Sequence, residues 1–162
     1  GIAGPSMVAG QHSRRRQETT MRPLIIQCGE GKLDGEHRVI DLYTGPLWSS
    51  VRAVVAELGG QLPLPVYVMS AKYGLVRADK VIETYNAVLV KRPRNNCEVA
   101  PADLVPLLRE QMAELGEDTD FVGGALYAET LRDAGFRVTE LDPRGIGYKR
   151  QTVKAHIRNA AV

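Results

Sequence analysis

The chain has 162 residues, of which 44% are hydrophobic and 25% charged, enough for one domain with a continuous core and too few for two. Of its 21 basic and 19 acidic residues, three arginines and one glutamate fall in residues 1–20, so residues 21–162 are neutral. That balance excludes a globally basic nucleic-acid coat, and any affinity for phosphate has to come from local clustering or from the tail.

The first twenty residues contain no apolar core of a secretory signal. They are expected to form a disordered basic tail, with Gly1–Ser6 a vector-derived scar, Met7 or Met21 the native start, and Arg14–Arg16 a possible grip on phosphate. The next segment, Pro23–Cys28, is a short apolar run of the kind a strand buried on both faces needs. Three glycines make residues 29–38 a loop. Leu47, Val51, Val54, Val55 and Leu58 then recur at helical spacing. Pro46 suits the first turn of that helix, Thr44 its cap, and Gly59-Gly60 its stop.

Residues 65–70 read as a second buried strand. A polar stretch follows the Gly74 break, with a short strand expected at 87–90 and a charged loop at 91–96. A helix is predicted over 101–115, a strand at 120–123, a helix over 125–134, a strand at 136–141 and a last helix over 148–160. This alternation predicts an α/β fold: a single three-layer domain over residues 21–162, with a mainly parallel central sheet of about four strands and helices on both faces. Ligands of such sheets bind beyond the carboxyl ends of the strands, which points to residues 28–34, 70–76, 123–127 and 142–150.

The first of these ends carries Cys28, Gly29 and Lys32. The glycine permits close backbone approach and the lysine supplies charge, while Cys28 reads as a core thiol or a nucleophile. The second carries Ser70, Lys72, Tyr73 and Gly74, a compact set able to pair with phosphate and to stack on a base. The fourth carries Arg144, Gly145, Gly147, Lys149 and Arg150, a glycine-rich turn opening a helix and therefore an anion site. Lys154, His156 and Arg158 could extend a basic face. Glu83, on a loop with Asp79 and Tyr85, is a candidate base or charge stabiliser, and Tyr43 a candidate wall of the cleft. With two distant cysteines and three scattered histidines, no metal or cofactor is expected. No run is long enough to span a membrane, and a reducing cytoplasm is the expected compartment.

Several motifs occur together and in order: Cys28-Gly29-x-x-Lys32-Leu33, Asp41-Leu42-Tyr43-Thr44-Gly45, Ser70-Ala71-Lys72-Tyr73-Gly74-Leu75, Val81-Ile82-Glu83-x-Tyr85, and Gly145-Ile146-Gly147 with Arg150. In these the chain resembles the domain-of-unknown-function 6884 family, found widely in actinobacteria and their phages. More distantly it is similar to the peroxide-stress protein family YaaA. It departs from the usual pattern at Glu30, Thr84 and Asn86. The resemblance implies a fold like that of uracil-DNA glycosylases and dealings with nucleotides or nucleic acid. Cleavage of a nucleobase N-glycosidic bond is the expected activity. Glu83 would then stabilise charge or activate water, Tyr73 or Tyr43 would stack, and Lys72, Arg150 and the 145–147 amides would hold phosphate. The alternatives are a nucleic-acid-binding protein without turnover and a nucleotide sensor.

Overall fold

The computed structural model describes residues 21–162, so the expectations for residues 1–20 lie outside the described residues. Its first strand, β1 (Leu24–Gln27), has neighbours on both sides and on both faces, which is why Leu24, Ile25 and Ile26 are all buried. Their alternation sorts them. Leu24 and Ile26 join one hydrophobic cluster, and Ile25 joins the other.

The chain continues through β2 (Glu36–Arg38), a one-turn helix α1 (Val39–Leu42), α2 (Pro46–Glu57), β3 (Val66–Ser70), β4 (Gly74–Arg77), β5 (Val81–Glu83), β6 (Val88–Leu89) and β7 (Glu98–Val99). It then forms α3 (Pro101–Leu115), β8 (Asp118–Val122), α4 (Ala125–Ala134), β9 (Arg137–Glu140) and α5 (Ile146–Ala160). The main sheet has five strands in the order β4-β3-β1-β8-β9. β3, β1, β8 and β9 are parallel, with Ile25 opposite both Tyr67 and Phe121. Helices α2 and α5 bury Trp48, Val51, Val54, Val153 and Ile157 with Leu24, Ile26, Val66, Val68 and Val122. Helices α3 and α4 bury Leu104, Leu108, Tyr127, Ala128 and Leu131 with Ile25, Met69 and Phe121. Each such large apolar side chain contributes roughly 1.5–3 kcal/mol by leaving water.

The expected four strands thus become five. The addition is β4, antiparallel to β3 with Ser70 opposite Gly74, in a stretch read as a polar loop. Gly74 holds φ +70° and its missing Cβ leaves room for Leu107 and Gln111 of α3. Gln111 then covers the edge of β4. Its Oε1 accepts from Leu75 N–H at 2.8 Å, and its Nε2 donates to the carbonyls of Leu75 and Tyr73 at 3.0 and 3.3 Å. Within residues 29–38, expected to be loop, β2 pairs with β5. Helix α5 starts two residues earlier than expected, so Gly147 is helical rather than part of the turn. Thr44 is not a cap: Gly45 takes that position, with no side-chain cap bond.

The strand order reverses between β1 and β8. From β1 the chain moves outward through α2 to β3; after β4 it returns through α3 to the other side of β1. A crevice opens beyond the carboxyl ends of two strands at such a reversal.

Candidate functional site

A cleft of about 390 Å³ occupies that crevice, within the range of pockets that take one small molecule. Gln27, Cys28, Gly29 and Glu30 enter it from the end of β1, and Gly123 and Gly124 from the end of β8. Gly45, Pro46, Leu47 and Trp48 line it from the start of α2, and Ile146 and Lys149 from the start of α5. Glycine at 123 is a steric requirement, because a Cβ there would stand 2.5 Å from Phe121 Cζ and 2.7 Å from Gln27 Cβ. Gln27 knits the floor together: its side-chain oxygen accepts from Gly124 N–H at 2.7 Å, and its carbonyl accepts from Trp48 Nε1 at 3.1 Å.

Three helices therefore begin at one cleft. The residues at their N-caps are Gly45, Gly124 and Gly145, and none of the three ends has a side-chain cap. The N–H groups of a first turn have no partner within the helix. Pro46 contributes none, which leaves Leu47 and Trp48 from α2, Ala125, Leu126 and Tyr127 from α4, and Ile146 and Gly147 from α5. The positive ends of the helix dipoles lie beside them, each worth roughly 0.3–1 kcal/mol toward an anion at an exposed end. Lys149 adds a full charge, its ammonium also donating to the Arg144 carbonyl. Glu30, at the rim, is the only carboxylate in the lining among the described residues.

The start of α5 is held by Asp142. Its buried carboxylate accepts from Arg144 Nε and Nη2 at 2.9 Å, from Arg144 N–H at 3.0 Å and from Thr152 Oγ1 at 2.7 Å. The Arg144 bonds, then that of Thr152, hold its pKa well below the usual carboxylate range. Arg144 in turn lies 4.1 Å over the exposed ring of Tyr148.

A second group of polar side chains lies next to the cleft, beyond the ends of β1 and β3. Tyr43 and Tyr85 share a 2.6 Å hydrogen bond between hydroxyls, and Tyr73 meets Tyr85 edge-on at 5.4 Å. Tyr73 donates to the backbone carbonyl of Glu83 at 3.1 Å. Tyr127 touches Cys28 Sγ at 3.5 Å. Burial raises the pKa values of Tyr43, Tyr85 and Tyr127, so these phenols stay neutral. Ser70, fully buried, accepts from the N–H groups of Lys72 and Tyr73, each at 3.1 Å. Two lysines flank the group from outside: Lys32 Nζ lies 4.6 Å from the centre of the Tyr85 ring, and Lys72 Nζ 5.1 Å from that of Tyr73.

The residues singled out in the sequence thus divide. Cys28 and Gly29 line the cleft, and Cys28 also touches the tyrosine group. Tyr43, Ser70, Tyr73, Gly74, Tyr85, Lys32 and Lys72 cluster around the tyrosines. Tyr43 is buried, so its ring is a wall of the core rather than of the cleft. Glu83 is exposed and carries no ion pair among the described residues, and Asp79 pairs with Arg77. Gly145 heads α5, while Arg150 reaches back to Ser50 Oγ at 3.1 Å. The basic face of α5 is partly neutralised, with Arg158 on Glu57 and His156 near Asp120. Sequence reasoning missed Gly45–Trp48 as a wall. The signal was present, since the proline that starts a helix also announces its bare amides.

Residues 24–152 match the family described as Family of unknown function (DUF6884). The chain belongs to that family. No curated protein and no solved structure gives a significant match. Among the described residues no group of three or more His, Cys, Asp or Glu side chains could hold a metal ion, and no helix is long and apolar enough to cross a membrane.

Proposed function

We propose that this chain, as one three-layer domain, binds a nucleotide in the cleft between β1 and β8 and cleaves its N-glycosidic bond. The observation that carries the reading is the meeting of three uncapped helix starts and Lys149 around a cavity of single-nucleotide size. Phosphate is the anion such an array of amides serves best. Leu47, Trp48 and Ile146 provide apolar wall for a sugar and base.

Cleavage would break the C1′–N bond and join C1′ to a water oxygen, the water's proton going to the departing base. Positive charge builds on the sugar meanwhile, and a carboxylate beside it lowers the barrier. Glu30 at the rim is the carboxylate the geometry favours; Glu83, behind Tyr73, is the second candidate. A distant kinship to YaaA and to uracil-DNA-glycosylase-like domains, expected from the sequence motifs, would agree with this reading.

The chain's single tryptophan lines the cleft, which makes the test direct. Nucleoside monophosphates should change Trp48 fluorescence and stabilise the fold by about 2.7 kcal/mol at a hundred times Kd, and nucleosides without phosphate should do neither. Release of free base from a bound nucleotide, abolished by Glu30→Gln, is the expected turnover. Loss in Glu83→Gln alone would move the assignment to Glu83. Binding without base release would favour the second reading, a nucleic-acid-binding or nucleotide-sensing protein, which the exposed Lys72 over the Tyr73 ring and Lys32 over the Tyr85 ring support.

A further inference from the structure

The loop that joins β6 to β7 reads Lys91-Arg92-Pro93-Arg94-Asn95-Asn96. All six residues are exposed, and none of its three cations forms an ion pair among the described residues. That sets them apart from Arg22, Arg38, Arg77, Arg132, Arg137, Arg144 and Arg158, each of which lies against a carboxylate. The loop is nevertheless pinned. Val88 N–H donates to the Cys97 carbonyl at 2.9 Å and Val90 N–H to that of Val99 at 3.0 Å. Arg94 N–H also donates to Oε1 of Glu98 in β7 at 2.9 Å, and Cys97 N–H to Asn95 Oδ1 at 3.0 Å. The backbone is ordered in advance while three positive side chains face water.

Its position relative to the cleft is also fixed. Leu89 of β6 and Tyr127 are buried in the same hydrophobic cluster, and the Tyr127 hydroxyl touches Cys28 Sγ in the cleft lining. The base of the loop thus packs into the cluster that also backs the cleft at Cys28.

We propose that this loop is a docking element for the phosphate backbone of a single-stranded nucleic acid, one nucleotide of which enters the cleft. The inference rests on the cleft being a nucleotide site and names its substrate as polymer rather than free nucleotide. A patterned set of cations on a prearranged loop suits a chain of evenly spaced phosphates, since each neutralised phosphate releases counterions. A cavity sized for one nucleotide requires that nucleotide to leave its stack, which costs least in a single strand.

The test compares the full chain with the triple variant Lys91→Ala/Arg92→Ala/Arg94→Ala. It measures anisotropy of a short fluorescein-labelled oligodeoxythymidylate across a salt series, and Trp48 fluorescence with thymidine monophosphate. The triple variant should bind the oligonucleotide at least about tenfold more weakly, with a salt slope shallower by about 2, from three lost contacts at about 0.7 each. Its response to the monophosphate should match that of the parent chain. Equal oligonucleotide affinity and slope in both proteins would overturn the docking role while leaving the cleft reading intact. Tighter binding of a duplex of the same length would overturn the single-strand assignment. Loop-dependent oligonucleotide binding with no monophosphate response would retain the loop and remove the nucleotide site on which the proposal rests.

Discussion

Two polar regions meet at Cys28, and they use their hydrogen-bonding groups in opposite ways. Around the tyrosines the groups bond one another: Tyr43 to Tyr85, Tyr73 to the Glu83 carbonyl, Ser70 to the turn that follows it. In the cleft, the first-turn amides of Leu47, Trp48, Ala125, Leu126, Ile146 and Gly147 have no acceptor among the described residues, and the glycines at the heads of the three helices supply no cap. A site that is to receive a ligand leaves donors unmatched, whereas a scaffold matches them. On that criterion the cleft receives the ligand, and the tyrosine group holds the ends of β1 and β3 in place beside it.

The comparison can be broken most severely at Gly123. Gly123→Ala would force a Cβ against Phe121 and Gln27, at a cost of about 1–3 kcal/mol; chemical denaturation should show the loss, and Trp48 fluorescence a loss of ligand response with it. Tyr43→Phe should cost a similar ~1–3 kcal/mol by leaving the Tyr85 hydroxyl without its partner, yet keep ligand affinity. The double variant Tyr43→Phe/Tyr85→Phe should lose less than the sum of the two single changes, since the two hydroxyls share one bond.

Asp142 sharpens the contrast through pH. Its pKa is depressed in the folded chain, so its contribution to stability is present above the ordinary carboxylate range and is lost as pH falls through about 4 and below. Asp142→Asn should therefore lower the urea midpoint at neutral pH, and the gap to the parent should close progressively in acid. The smallest effect on stability belongs to Lys149→Ala, within about 0.5 kcal/mol. Its monophosphate affinity should nonetheless fall about five- to tenfold, a loss of roughly 1 kcal/mol in binding.

Much of the architecture was legible from the sequence pattern, because β1 and β3 are central strands with apolar runs, and α3 and α4 begin and end where Pro101, Gly124 and Gly135 stand. The elements that escaped are those whose reasons lie far away in sequence. β4 is an edge strand whose exposed edge is completed by Gln111, 36 residues after Leu75. β2 has no apolar face of its own and exists by pairing with β5. The site followed the same rule. Gly145 could be read as a helix head, and Ser70–Leu75 as a dense polar turn. That the starts of α2, α4 and α5 face one cavity depends on the strand order β3-β1-β8, which no local pattern encodes.

The most direct test of the cleft as the ligand-receiving region is an amide chemical-shift titration of the full chain with a nucleoside monophosphate. The account predicts that the amides of Leu47, Trp48, Ala125, Leu126, Ile146 and Gly147 move together and saturate with one affinity, while those of Ser70–Leu75 and Tyr85 stay near their starting positions. Shifts confined to Ser70–Leu75 and Tyr85, with the three helix starts unmoved, would contradict it and make the tyrosine group the site.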